Sequence, residues 1–181
     1  MKNSIAVLIS AVLILISLSG FAQSKALEVQ TIQTIEAPIN EVYNILRSFE
    51  RFPEWSPFLL TDPEQKNHVT GTDGQIGSAF HWEGIAEKSL GSQTLSKLEE
   101  NKFLKMDCDV QKPQKSKGVF EYYLAEENGK TIVTQNFSIP CNGFQYFMMK
   151  IFGVKKEVSK INTLGLERLK VLAENKISMA N

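Results

Sequence analysis

Five strand-length pieces, at residues 78–84, 93–99, 102–110, 118–125 and 131–139, follow one another with turn residues between them at Gly91, Glu100-Asn101, Lys112-Pro113 and Asn128-Gly129. This feature limits the fold most. A parallel neighbour needs a crossover of about a dozen residues or more, and these intervals are too short for one. The strands must therefore run antiparallel, as a meander. Asn128-Gly129 is the firmest of the turns, because a two-residue hairpin loop needs positive φ at both central positions and Asn and Gly accept it cheaply.

The flanking segments complete the outline. Over 27–36, Leu27 and Val29 alternate with polar neighbours and Ile32 and Ile35 then fall out of step, which predicts a strand with an irregularity near its centre. Pro38 suits a first helical turn, and Val42, Ile45, Leu46 and Phe49 recur three to four residues apart, so a short amphipathic helix is expected over 39–48. The run from Phe52 through Pro53, Trp55 and Pro57 to Phe58 is too rich in proline for a long helix and predicts a turn or a broken second one. Past the meander, Pro140 stops the last strand and Asn142 is a candidate N-cap. From 144 to 173, Phe147, Ile151, Val154, Val158, Ile161, Gly165, Leu169 and Leu172 keep a near-helical period, predicting a long C-terminal helix kinked near Gly153. A twisted sheet with an apolar concave face needs a cover, and that helix is the only element long enough. The expected class is α+β, a curved antiparallel sheet wrapped around the long helix, with two short helical pieces after the first strand.

The 181-residue length suits one domain, placed at 27–175 with a tail at 176–181. Twenty basic side chains balance twenty acidic ones, so no positive field exists to hold nucleic acid, and none is expected as a partner. A hydrophobic content of 43% with eleven Phe excludes wholesale disorder. His68 and His81 have no second ligand pair at metal-binding spacing, so no metal and no cofactor is expected. Cys108 and Cys141 fall two strands apart in the meander, about 9–10 Å, beyond the roughly 7 Å that a disulfide spans.

At the N-terminus, Lys2 precedes an apolar run over 5–18 and the small residues Gly20 and Ala22 flank Phe21. This is the pattern of a secretory signal with cleavage after Ala22. Two alternatives stay open: an uncleaved membrane anchor, for which the stretch is borderline in length, and a buried core helix. No Cys follows the run, so a lipoprotein anchor is excluded. The domain is expected on the outer side of the cytoplasmic membrane.

Four stretches carry a family resemblance: Ile35-Glu36-Ala37-Pro38 with Val42; Phe52-Pro53-Glu54-Trp55-Ser56-Pro57; residues 77–82, ending on Trp82; and Leu166-Glu167-Arg168-Leu169-Lys170 with Glu174. Over about 27–175 the chain resembles the START-like (SRPBCC) superfamily, also called the polyketide cyclase/dehydrase and lipid-transport family. The resemblance implies a helix-grip fold with an internal cavity for a hydrophobic or amphipathic ligand. Its motifs are structural, so they speak for fold more than for activity. The Cys and His pairs of a Rieske oxygenase are missing.

Strand alternation turns Phe80 and Trp82, Met106, Phe120 and Tyr122, and Phe137 toward the helix. These residues fill either a packed core or, as the resemblance implies, the wall of a ligand cavity, with Trp82 and Tyr122 offering polar handles. Trp55 and Phe58 belong to one end of that cavity, or plug it; Phe147 and Ile151 reach it from the helix. His81 and Glu83 face the other way on a regular strand. His81 is a catalytic candidate only if a bulge reverses that strand. The stretch 144–152 is apolar nearly all round, more than one core-facing stripe requires. It is expected to gate the cavity, touch a membrane with Lys150, Lys155, Lys156 and Lys160 near the head groups, or be covered by a loop or a second copy. The leading expectation is a carrier of a small hydrophobic ligand; the others are a cyclase- or dehydratase-type enzyme and an interaction module.

Overall fold

The computed structural model describes residues 25–85 and 88–180, so the expected export segment at 1–22 lies outside the described residues. The elements run β1 (Lys25–Ile35), α1 (Ile39–Arg47), α2 (Phe52–Trp55), α3 (Phe58–Thr61), β2 (Lys66–Thr70), β3 (Ala79–Glu83), β4 (Leu90–Glu99), β5 (Phe103–Lys112), β6 (Ser116–Glu127), β7 (Lys130–Cys141), α4 (Gly143–Ile151) and α5 (Val154–Ala180). All seven strands form one antiparallel sheet in the order β1-β7-β6-β5-β4-β3-β2. The meander is therefore closed at one edge by β1, which returns to pair with the last strand. The sheet curves around α5, giving the expected helix-grip.

Most boundaries agree with the pattern in the sequence, and the departures have local causes. β1 pairs with β7 in unbroken register, so it holds no irregularity at its centre. Its apolar pattern breaks because polar Thr31 and Gln33 share the inward face of Leu27, Val29 and Ile35, while Ile32 points out and is 59% exposed. The true register shifts lie between β4 and β5, after Leu90 and after Leu95. Gly91 is not a turn residue: it lies inside β4 opposite Trp82, where an added Cβ would sit 2.4 Å from the indole ring. β2 was masked in the sequence by composition, since only Val69 of its five residues is even half-buried. Asn128 and Gly129 have φ of 53° and 75°, the positive values that a two-residue hairpin needs.

The C-terminal helix is two helices. Gly153 takes φ of 66°, a left-handed geometry that ends α4, and α5 starts directly after it. Asn142 caps α4 as expected and forms a reciprocal capping box with Gln145. α5 continues to Ala180, through the stretch read above as a tail. Its buried face is Asn162, Gly165, Leu166, Leu169 and Ala173, which meets Val42, Ile45 and Leu46 of α1 and Leu124 and Val133 of the sheet.

The residues that carry the resemblance act as staples. Arg168 donates to the backbone carbonyls of Trp55 and Glu54 at 3.2 and 3.0 Å, fastening α2 to α5. Glu174 accepts the Glu36 backbone N–H at 2.7 Å, and Lys170 donates to the Thr34 carbonyl. The Asp73 carboxylate accepts from the backbone N–H groups of Phe49 and Glu50 and from the Ser48 hydroxyl, holding the α1–α2 corner to the loop before β3. Cys108 and Cys141 are both free, with β6 between their strands.

Leu169 is fully buried whereas Phe147 on α4 is 57% exposed. Leu169→Ala should cost about 2–5 kcal/mol in urea unfolding, and Phe147→Ala within about 0.5 kcal/mol. Equal losses would mean that α4 belongs to the core.

Candidate functional site

α5 reaches only part of the concave face. It packs along β1, and its buried stripe begins at Asn162, so the sheet's other half is roofed by the short α2 and α3 instead. Two prolines keep these pieces to four residues each. Under that thin roof lies a cavity of about 310 Å3.

Phe80 and Trp82 of β3 form one wall, and Phe120 and Phe137 of β6 and β7 form the opposite one. Phe120 and Phe137 are register partners with ring centroids 4.3 Å apart. Cys108 and Val110 of β5 lie between the two walls, and Phe52 closes the roof. The polar residues Gln65, Ser89 and Lys112 mark the rim, where Phe58 is 45% exposed. Two glycines shape this space. Gly91 gives the Trp82 ring its seat, and Gly118 gives Phe137 its own, since an added Cβ there would meet the ring at 2.8 Å.

A second, smaller void of about 30 Å3 lies beside it, between the sheet and α5. It shares Phe52, Phe58, Gln93 and Phe120 with the main cavity and adds Trp55, Tyr122, Gln135 and Asn162. Gln135 donates to the Tyr122 hydroxyl at 3.1 Å. Burial holds the Tyr122 phenol well above its ordinary pKa, so it stays neutral.

The expected lining residues thus divide. Phe58, Phe80, Trp82, Phe120 and Phe137 surround the larger space, and Trp55 and Tyr122 the smaller one. Met106 does not line either: it is fully buried in the core, where its sulfur accepts from the Gln93 amide. Phe147 and Ile151 are also not in the wall, because the break at Gly153 swings α4 outward and leaves them 57% and 59% exposed. His81 stays on the outer face of a regular β3. Its Nε2 lies 2.9 Å from the Thr70 hydroxyl, and its ring stacks on His68 at 4.7 Å.

Gln93, Gln135 and Asn162 were the residues hardest to see in advance. The signal for them is a polar side chain inside an apolar alternation: Gln93 two before Leu95, Gln135 between Val133 and Phe137, and Asn162 one turn before Leu166. The lining also holds a buried carboxylate, Asp62, which accepts the Ile85 backbone N–H at 2.8 Å. The Cys108 thiol is pushed up to about 12, chiefly by burial and then by Asp109, so it is not a nucleophile near neutrality.

Two measurements follow from this geometry. Gly118→Ala should drive the Phe137 ring into the cavity and lower the affinity for apolar ligands while the chain stays folded. A ligand titration showing unchanged affinity would place the ring elsewhere. Alkylation of Cys108 by iodoacetamide should rise about tenfold per pH unit from about pH 7 to pH 10, because only the thiolate reacts. A plateau near pH 9 would contradict its burial.

No family model matches the chain, and no curated protein matches it. Solved structures do. Protein CV1439 from Chromobacterium violaceum superposes with a TM-score of 0.60 at 11% identity, covering 81% of this chain and 96% of that one. Protein MLL2253 from Mesorhizobium loti gives a TM-score of 0.60 at 15% identity over the same shares, 81% and 96%. Ara h 8.0201 gives 0.53 at 12% identity, covering 80% of this chain and 99% of that chain. At these identities the likeness speaks for fold alone, and that fold is the helix-grip.

Proposed function

We propose that this chain is a START-like binder or carrier of a small hydrophobic ligand, acting on the outer side of the cytoplasmic membrane. The observation that carries the reading is the 310 Å3 cavity walled by Phe80, Trp82, Phe120 and Phe137 with an accessible rim. Its volume lies at the lower end of the range for small-molecule sites. A ligand that buries roughly 300 Å2 of apolar surface there gains about 7 kcal/mol before the costs of association, which makes micromolar affinity the ceiling for apolar burial alone. No step of catalysis is needed to explain this wall, and His81 lies on the opposite face of β3. The export reading rests on residues 1–22 as a signal or anchor, and it predicts that the domain is found outside the cytoplasmic membrane.

Val110 lines the cavity without belonging to the packed core cluster. Val110→Trp should therefore fill the space at little cost in stability and weaken binding of an apolar fluorescent probe by at least about tenfold. Undiminished probe binding by the filled variant would sink the carrier reading, because the probe would then be held elsewhere.

α4 favours a membrane-touching surface beside this function. None of its residues is buried, and Phe144 and Phe152 are 72% and 71% exposed. Lys25, where β1 begins, pairs with Cys141, and its ammonium sits 5.4 Å from the Tyr146 ring centre. β1 thus begins at the corner where α4 presents its aromatic side chains. Phe147→Asp should abolish flotation with anionic phospholipid vesicles and leave probe binding intact. Flotation that survives the substitution would remove α4 from the membrane contact.

A further inference from the structure

The small void beside the cavity is lined by three residues that each carry a buried polar atom with no hydrogen-bond partner: Trp55 (Nε1), Gln135 (Oε1) and Asn162 (Nδ2). Their side chains come from three separate elements, and the residues are only 3%, 4% and 6% exposed. Buried polar atoms are seldom left unpaired, so three on residues around one 30 Å3 space are a conspicuous concentration. The positions are held firmly. Arg168 fixes the backbone of Trp55, and the Tyr122 hydroxyl holds the amide of Gln135.

We infer that this void is the polar end of the ligand site and that it selects a neutral hydroxyl group on an otherwise apolar molecule. This rests on the carrier reading, since the main cavity must hold the apolar body. The stoichiometry is the argument. A hydroxyl offers one donor and two acceptor lone pairs. The void offers two donors, the Trp55 and Asn162 N–H groups, and one acceptor, Gln135 Oε1. One alcohol or phenol oxygen therefore satisfies all three at once. An ether or ketone oxygen cannot donate and would leave Gln135 Oε1 unpaired. A hydrocarbon would leave all three unpaired.

Charge gives the second discrimination. No residue lining the void carries a charge, so a carboxylate or ammonium placed there would be desolvated without a counter-charge, which is prohibitive. Exchange of O and N in either amide leaves the set uncharged, and the acceptor is Gln135 Oε1 because Nε2 of that amide donates to the Tyr122 hydroxyl. The two spaces share Phe52, Phe58, Gln93 and Phe120 as walls, so they are adjacent.

The test compares 2-naphthol with naphthalene, 2-methoxynaphthalene and 2-naphthoate by isothermal titration on the wild-type protein, Asn162→Leu and Gln135→Met. Wild type should bind 2-naphthol at least about tenfold more tightly than each of the other three, as sites built around a hydroxyl reject analogues lacking it. In both variants the preference over naphthalene should fall to within about threefold, while naphthalene itself binds no worse. Equal wild-type affinity for 2-naphthol and naphthalene would overturn the inference and leave the carrier reading standing, with a water as the occupant of the void. Binding of none of the four would overturn both.

Discussion

The structure depends on a mismatch of length between a wide curved sheet and the helix it grips. Leu166, Leu169 and Ala173 of α5 pack against α1 and one half of the sheet, and that half is solid. The other half has no long helix over it. Protein interiors close-pack where side chains can meet, so a concave aromatic wall roofed by two four-residue helical pieces leaves space. The cavity is thus a consequence of where the helix stops being buried, and the prolines of the α2–α3 segment keep the roof from growing into a filler.

Arg168 joins the two halves. Its guanidinium spans from α5 to the carbonyls of Trp55 and Glu54, so the packed helix positions the roof over the cavity. Trp55 is then shared: its carbonyl belongs to the staple and its ring to the smaller void, where its Nε1 has no hydrogen-bond partner. Gly91 and Gly118 do the corresponding work on the floor, each giving up a side chain so that Trp82 or Phe137 can lie against the sheet. Apolar burial supplies the affinity of such a site, and a few fixed polar groups set orientation.

The fold was legible because its signals are local. Asn128-Gly129 fixes one hairpin, Asn142 starts α4, and the alternation around Phe80, Phe120 and Val133 assigns faces from the sequence alone. What failed was what depends on neighbours. Gly91 reads as a turn by composition, and only the Trp82 ring across the strand explains it as a strand residue. Phe147 and Ile151 continue the period of α5 on paper, yet a single left-handed Gly153 resets the helix direction and turns them outward. β2 could not be read because an edge strand with one partly covered residue has almost no pattern to show. The cavity's aromatic side was visible in the sequence. Its polar end was not, since Gln93, Gln135 and Asn162 gain meaning only when three elements bring them together.

The central claim is that the space under α2 and α3 holds a small hydrophobic molecule. Native mass spectrometry of the purified chain, followed by organic extraction, tests this most directly. The account predicts one small apolar or weakly polar molecule per chain, displaced when the cavity is filled by a larger side chain. A bare chain mass in every preparation, with no uptake from a panel of lipids and aromatic compounds, would contradict it and leave the concave face as packing alone.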